Sequence, residues 1–295
     1  MSTREIFLFE LADNIRSKRF VILFSLIYII GFSMAYESIG SLLSTLQKTS
    51  GEFVFLQLFT IQAGVIPSFL GFVAFFGPII GMTFTFDLIN REISTGTLTN
   101  ILSQPVHRDS IINAKFLASI ATISIMISGL FIMMSGIGII TLGTLPTYEE
   151  VLRIIAFAFI SMIYLSLWMS IGVLFSIIFQ REGTSALSSI SIWLFFTVFI
   201  YMIYDIANEG SLLSRIIYLS PSYLYTESSS VILMPTVRVL GPVSYEQIIG
   251  MLFTPLPFTE SLLLSWPYIV SLISGLFLIF IISYVVFIKK EIRIT

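Results

Sequence analysis

Long uncharged stretches separated by short polar segments dominate this chain. Between consecutive charged residues run Phe20–Tyr36, Phe53–Phe86, Phe116–Tyr148, Ile154–Gln180, Gly183–Tyr204 and Ser261–Ile288. A Lys, Arg or Asp at mid-bilayer costs roughly 2.5–3.5 kcal/mol on insertion scales. Apolar runs near the ~20 residues needed to cross hydrocarbon therefore mark spanning helices. The pattern predicts an all-α membrane protein with six spans, at about 20–40, 66–86, 112–142, 154–179, 187–206 and 267–288. Glu37 falls in the outer turn of the first, at headgroup level, where a carboxylate is tolerated. A seventh span within 239–259 is rejected, because it would carry Glu246, Pro242, Pro255 and Pro257.

The segments between spans differ in character. Ser2-Thr3-Arg4-Glu5 reads as a capping box opening a helix. Phe7, Leu8, Leu11 and Ile15 then fall on one side, with Glu10, Asp13, Asn14 and Lys18 away from it, while Ile6 and Phe9 lie off the stripe. This predicts an amphipathic interfacial helix on the inner leaflet. The outer segment 207–266 is too long for a turn and too apolar for a free loop. Six of the ten prolines stand between 207 and 267. Its short apolar pieces predict helices that dip into the outer leaflet or pack over the outer mouth, with a folded external cap as the alternative.

Composition and charge agree with a lipid solvent. Of 295 residues, 56% are hydrophobic and 11% charged, against about 25% charged in soluble domains. A net charge of −2 implies neither nucleic acid nor a strongly acidic partner. The absence of cysteine excludes disulfides and thiolate sites. No cleavable signal peptide is expected, and the whole chain reads as a single transmembrane domain, multi-pass in the cell membrane. With the N-terminus inside, eleven Lys and Arg residues fall on inner segments and four (Lys48, Arg153, Arg215, Arg238) on outer ones, while acidic residues divide eight to nine. Positive charge sets topology, so both termini are expected in the cytoplasm.

Candidate chemistry is sparse. His107 is the single histidine, no glycine precedes a lysine, and no predicted span carries a charge near its middle. Catalytic, cofactor-binding and metal-binding residues are therefore expected to be absent, with the driving energy supplied from elsewhere. The inner segment 87–110 is the most informative. Gly96 interrupts it, Thr95 or Thr97 can cap a new helix, and Leu98, Ile101 and Leu102 form an apolar stripe that Pro105 ends. Arg91 and Glu92 stand just before it. Such a short amphipathic helix on the inner face is a shape another protein can grip; the alternative is a solvated loop.

Arg91-Glu92, Gly96-Thr97-Leu98, Leu102, Pro105, Arg108 and Lys115 resemble the signature of ABC-2-type transporter permeases. Ala114 replaces the glycine usual before that lysine, and Asn90 the usual acidic residue before Arg91. Within the family, Ser220-Pro221-Ser222-Tyr223 and the closing Tyr284-Val285-Val286-Phe287-Ile288-Lys289-Lys290 are most similar to the branch containing the permease of the nitrous-oxide-reductase maturation system. The resemblance implies two permease chains, expected as a homodimer in the bilayer, with a pair of separate cytoplasmic ATP-binding subunits beneath them. ATP and Mg would sit in those subunits. It implies a coupling helix near 97–103, a second, smaller contact at Arg181 and Glu182, and first, second and fifth spans lining the seam between chains. An exporter is the leading expectation. Beside it stand a mechanical device driven by ATP, acting on a periplasmic or surface partner protein without free solute transport, and a stand-alone channel, secondary transporter or structural membrane protein.

Overall fold

Ser17 divides the first long helical run in two. Its hydroxyl donates to the Asn14 carbonyl (2.7 Å) and accepts from the Phe20 amide (3.1 Å), so it closes one helix and caps the next. In this computed structural model, residues 3–46, 53–62, 67–97, 107–207, 214–236 and 255–290 are described. Among them all regular structure is helical: α1 (Thr3–Arg16), α2 (Lys18–Leu46), α3 (Val54–Thr60), α4 (Phe69–Thr83), α5 (Asn90–Ser94), α6 (Arg108–Leu142), α7 (Tyr148–Ile178), α8 (Glu182–Ile206), a 3-10 turn (Ser214–Leu219), α9 (Pro221–Leu233) and α10 (Phe258–Lys289).

Five of these, α2, α6, α7, α8 and α10, are long and apolar enough to cross a membrane. The run expected at 66–86 forms α4, which has 15 residues, roughly 22 Å and short of the ~30 Å hydrocarbon core. Ser68 caps it, accepting from the Gly71 amide, and turns at 84–89 carry the chain on into α5. The N-terminal stripe also differs in detail. In α1 the buried residue is Ile6, while Leu8 and Phe9 are exposed. Ser2 of the expected capping box lies outside the described residues.

α4, α6, α8 and α10 pack around α7, the most enclosed of the spans, and α2 packs on α6. Lipid tails are as apolar as leucine, so close packing rather than escape from water has to hold such helices together. Two devices provide it. Phe59, Phe69, Phe131 and Phe157 mesh at 5.1–6.1 Å between ring centres, joining α3, α4, α6 and α7. Gly77 and Gly81, one turn apart on α4, lie against α7, where a β-carbon at Gly81 would come within 3.2 Å of the Leu165 carbonyl.

The outer segment is partly inside the bundle. α9 buries Ser222, Tyr223, Leu224, Tyr225, Ser228, Ser229, Val231, Ile232 and Leu233. Its N-terminus meets Tyr164, near the middle of α7, and its C-terminus meets Arg153, near the start of α7. It is a short helix running from the middle of α7 to the end where α7 starts. Prolines 242 and 255–257 divide: Pro255 and Pro257 precede α10, while Pro242 lies outside the described residues.

Candidate functional site

Both termini, the turns after α4 and the starts of α6 and α8 gather at one end of the bundle, here called basal. Lys115, on the second turn of α6, points into the protein with 3% of its side chain exposed and meets Glu10 of α1 and Glu92 of α5, each at 2.6 Å. One cation thus ties three helices. Beside it, Arg19 of α2 clamps Asp87 with two nitrogens (2.6 and 2.8 Å) and lies over the Phe86 ring. Arg91 stays exposed, 3.9 Å from Asp87.

The backbone between these pairs is fixed by serines from α7 and α8. Ser176 accepts from the amides of Ile89 and Asn90 (2.7 and 3.2 Å), satisfying α5's free first amides from another helix. Ser185 donates to the Phe86 carbonyl at 2.5 Å. α5 then ends at Gly96, whose φ of 72° is left-handed backbone that glycine adopts without penalty. A polar cleft of about 340 Å³, bordered by Asp13, Arg19, Asp87, Arg91 and Glu92, opens between α1 and this segment.

The Lys115 triad, taken by itself, is short of positive charge. Lys115 faces two carboxylates, and Glu92 Oε2 is buried without a partner among the described residues. Burial pushes the Glu92 carboxyl above its ordinary value; Lys115 acts against this, and nearby Glu10 adds to it. The arrangement holds no nucleophile and base in contact, and no group of three metal ligands exists among the described residues. What it can do is mechanical. Lys115 joins α5 to α6 and, through Glu10, to α1.

The sequence-derived site residues distribute unevenly. Arg91, Glu92, Gly96 and Thr97 are described, with the Thr97 hydroxyl 2.8 Å from that of Thr95. Leu98, Ile101, Leu102 and Pro105 lie outside the described residues. Arg108 takes another course, donating to the Lys290 carbonyl (3.2 Å) at the end of α10. Arg181 is exposed ahead of α8, and Glu182 lies within electrostatic reach of Arg19. Glu10, Arg19, Asp87, Ser176 and Ser185 were not singled out from sequence. Lys115 was, as part of a signature, but a lysine inside an apolar helix with carboxylates on two other helices is the stronger signal.

Two further polar constructions lie away from this end. Arg153, expected on an outer segment, is fully buried: it donates to Glu149, to the carbonyls of Ile232 and Leu256, and to Ser261. It thereby staples α7, α9 and α10. Neighbouring Glu150 closes a capping box with Thr147 and accepts from the Phe55 amide. At mid-depth, Pro78 deprives the Ala74 carbonyl of its helical partner. The Tyr164 hydroxyl donates to that carbonyl (2.7 Å) and contacts Ser222, which in turn meets Thr197. Ser220 donates to the Phe196 carbonyl, inside the π-helical turn Phe195–Phe199 of α8.

With this geometry in hand, comparison with known families gives one result. A family model described as ABC-2 family transporter protein matches residues 4–292. No curated protein matches the chain.

Proposed function

The chain belongs to the ABC-2 transporter family, and from that premise we propose that it is the permease subunit of an ATP-binding-cassette exporter. Segment 87–110 receives the motion of a separate cytoplasmic ATP-binding subunit, which holds the ATP and Mg. The Lys115 triad carries this reading, because it joins the segment before the expected coupling helix to α1 and α6 by buried ion pairs. A stroke delivered at 97–103 reaches α5 across Gly96 and passes from α5 to a spanning helix through Lys115. By linkage, nucleotide drives this only if one conformation of the assembly binds it more tightly.

In this reading α4 completes a sixth crossing, its 15 residues extended by the turns that follow it toward Phe86. The basal end faces the cytoplasm, as the excess of Lys and Arg there favours, and α1 lies along the inner leaflet with Leu8 and Phe9 toward lipid. Two permease chains pair through the exposed apolar faces of α8 and of the basal half of α2, where Leu187, Phe195, Phe199 and Ile22, Leu26, Ile29 recur at helical spacing. The Ser220-Pro221-Ser222-Tyr223 stretch supports a likeness to the branch containing the permease of the nitrous-oxide-reductase maturation system.

The test is co-purification of the ATP-binding subunit with the permease. Truncating a packed apolar anchor commonly costs ~2 kcal/mol or more at an interface. Leu102→Asp is expected to detach the ATPase while the permease stays inserted. Full-strength co-purification and ATPase activity with Leu102→Asp would remove the coupling assignment.

A further inference from the structure

The outer half of α2 carries one exposed carboxylate that no described residue answers. Glu37 is exposed and has no ion-pair or hydrogen-bond partner among the described residues. About five helical turns separate it from Lys18, roughly 28 Å, which is close to the thickness of bilayer hydrocarbon. A groove of about 380 Å³ opens beside it between α2 and α6, lined by Phe32, Tyr36, Gly40, Ile137 and Thr141.

We propose that this groove binds a cationic amphiphile, its ammonium head on Glu37 and its alkyl chain along Phe32 and Ile137 toward the bilayer centre. The polar atoms select the head. Glu37 can only accept, and the Thr141 hydroxyl already donates to the Ile137 carbonyl (2.7 Å), leaving its lone pairs to accept as well. A ligand must therefore donate, and an anion meets an uncompensated carboxylate. The Tyr36 ring, 73% exposed beside Glu37, offers a cation a second favourable face. The remaining walls select a chain, since Phe32 lies about 7 Å deeper than Glu37 along the helix. Room is available at Gly40, where a β-carbon would meet nothing within 4 Å. The inference names a ligand class for the proposed exporter and rests on that reading only for the transport of what is bound.

Binding is measured on the full permease chain alone, so its failure and the failure of ATPase pairing are separate results. In non-ionic detergent, radiolabelled dodecylamine is expected to bind about tenfold more tightly than dodecanol, as one charge-assisted hydrogen bond at the head supplies. Glu37→Gln should erase that preference, and Gly40→Leu, which fills the groove, should weaken both ligands. A second arm places the chain in nanodiscs of equal phosphatidylethanolamine and phosphatidylglycerol. Selective retention of phosphatidylethanolamine identifies a bilayer lipid as the source; dodecylamine selectivity without it identifies a free amphiphile. Equal binding of dodecylamine and dodecanol by the wild type overturns the proposal, as does a preference untouched by both substitutions. Spontaneous disulfide formation between two Gly40→Cys chains, in a protein without other cysteines, would instead put a second copy over the groove and overturn it too.

Discussion

Lys115→Met is the perturbation that separates a structural from a transmitting role for the basal cluster. Breaking a buried ion pair by removing one partner costs about 3–5 kcal/mol, because the other charge is left uncompensated. Here two carboxylates lose the same cation, each 2.6 Å away. Two features soften the loss. Glu10 and Glu92 keep 14% and 16% of their side-chain surface in contact with solvent, and Glu92, already raised by burial, accepts a proton readily. The expected cost is therefore about 3 kcal/mol, at the low end of that range. For a chain of this size it lowers Tm by roughly 6–12 °C.

The control is Glu10→Gln/Lys115→Met/Glu92→Gln, in which no charge remains to be compensated. Neutral replacement of a whole buried cluster is often close to neutral in stability, so the triple variant should recover most of the lost Tm. If the ion triad transmits the stroke, this stable variant still fails to couple ATPase activity to transport. The pH dependence supplies an internal check. Glu92 binds a proton more readily folded than unfolded, so its contribution is present at low pH and lost as pH rises through its folded value. Between about pH 7 and about pH 5, wild type should therefore gain Tm relative to Glu92→Gln. Equal Tm for wild type and Lys115→Met, or a triple variant as unstable as the single, would refute the triad as described.

Three other outcomes follow from the polar constructions and the topology. Tyr164→Phe leaves the Ala74 carbonyl unsatisfied at a cost of about 1–3 kcal/mol; in a Pro78→Ala background, where an amide returns, the cost should fall below half, as a double-mutant cycle on thermal unfolding will show. Arg153→Met should loosen the junction of α7, α9 and α10, read as faster maleimide labelling of Ser229→Cys, whose native side chain is fully buried; unchanged labelling would mean the staple is redundant. With an impermeant thiol reagent on intact cells, Thr147→Cys, exposed ahead of α7, should react and Thr184→Cys, exposed near the start of α8, should not. The reverse pattern inverts the orientation.

The spans were legible because charge is excluded from lipid, and the errors at their ends have the same origin. Arg153 served as a boundary in the sequence pattern, which placed the fourth span at 154. In the structure its charge is answered from within, so α7 begins at Tyr148, where the Thr147–Glu150 capping box sets the start. Likewise α10 begins at Phe258 rather than 267, since Pro267 is accommodated inside the helix. The Lys115 triad was harder to see. Its members lie on α1, α5 and α6, and no local spacing brings positions 10, 92 and 115 together. α9 was the least legible element, because Ser222, Ser228 and Ser229 read as loop residues until Ser161, Tyr164 and Arg153 are placed around them.

The burial of α9 has a consequence for how the protein is made. At 13 residues, with serines along the side it buries, this segment is too short and too polar to be laid into the bilayer as a span of its own. Two hydroxyls at its start find partners only on neighbouring helices: Tyr164 of α7 and Thr197 of α8 for Ser222, and Phe196 of α8 for Ser220. Biogenesis therefore has an order. Seating of α9 is expected to follow insertion of α7 and α8, as a late step. Until then the membrane holds a bundle with a polar-lined vacancy, and a chain stalled at that stage is the one on which quality-control proteases should act.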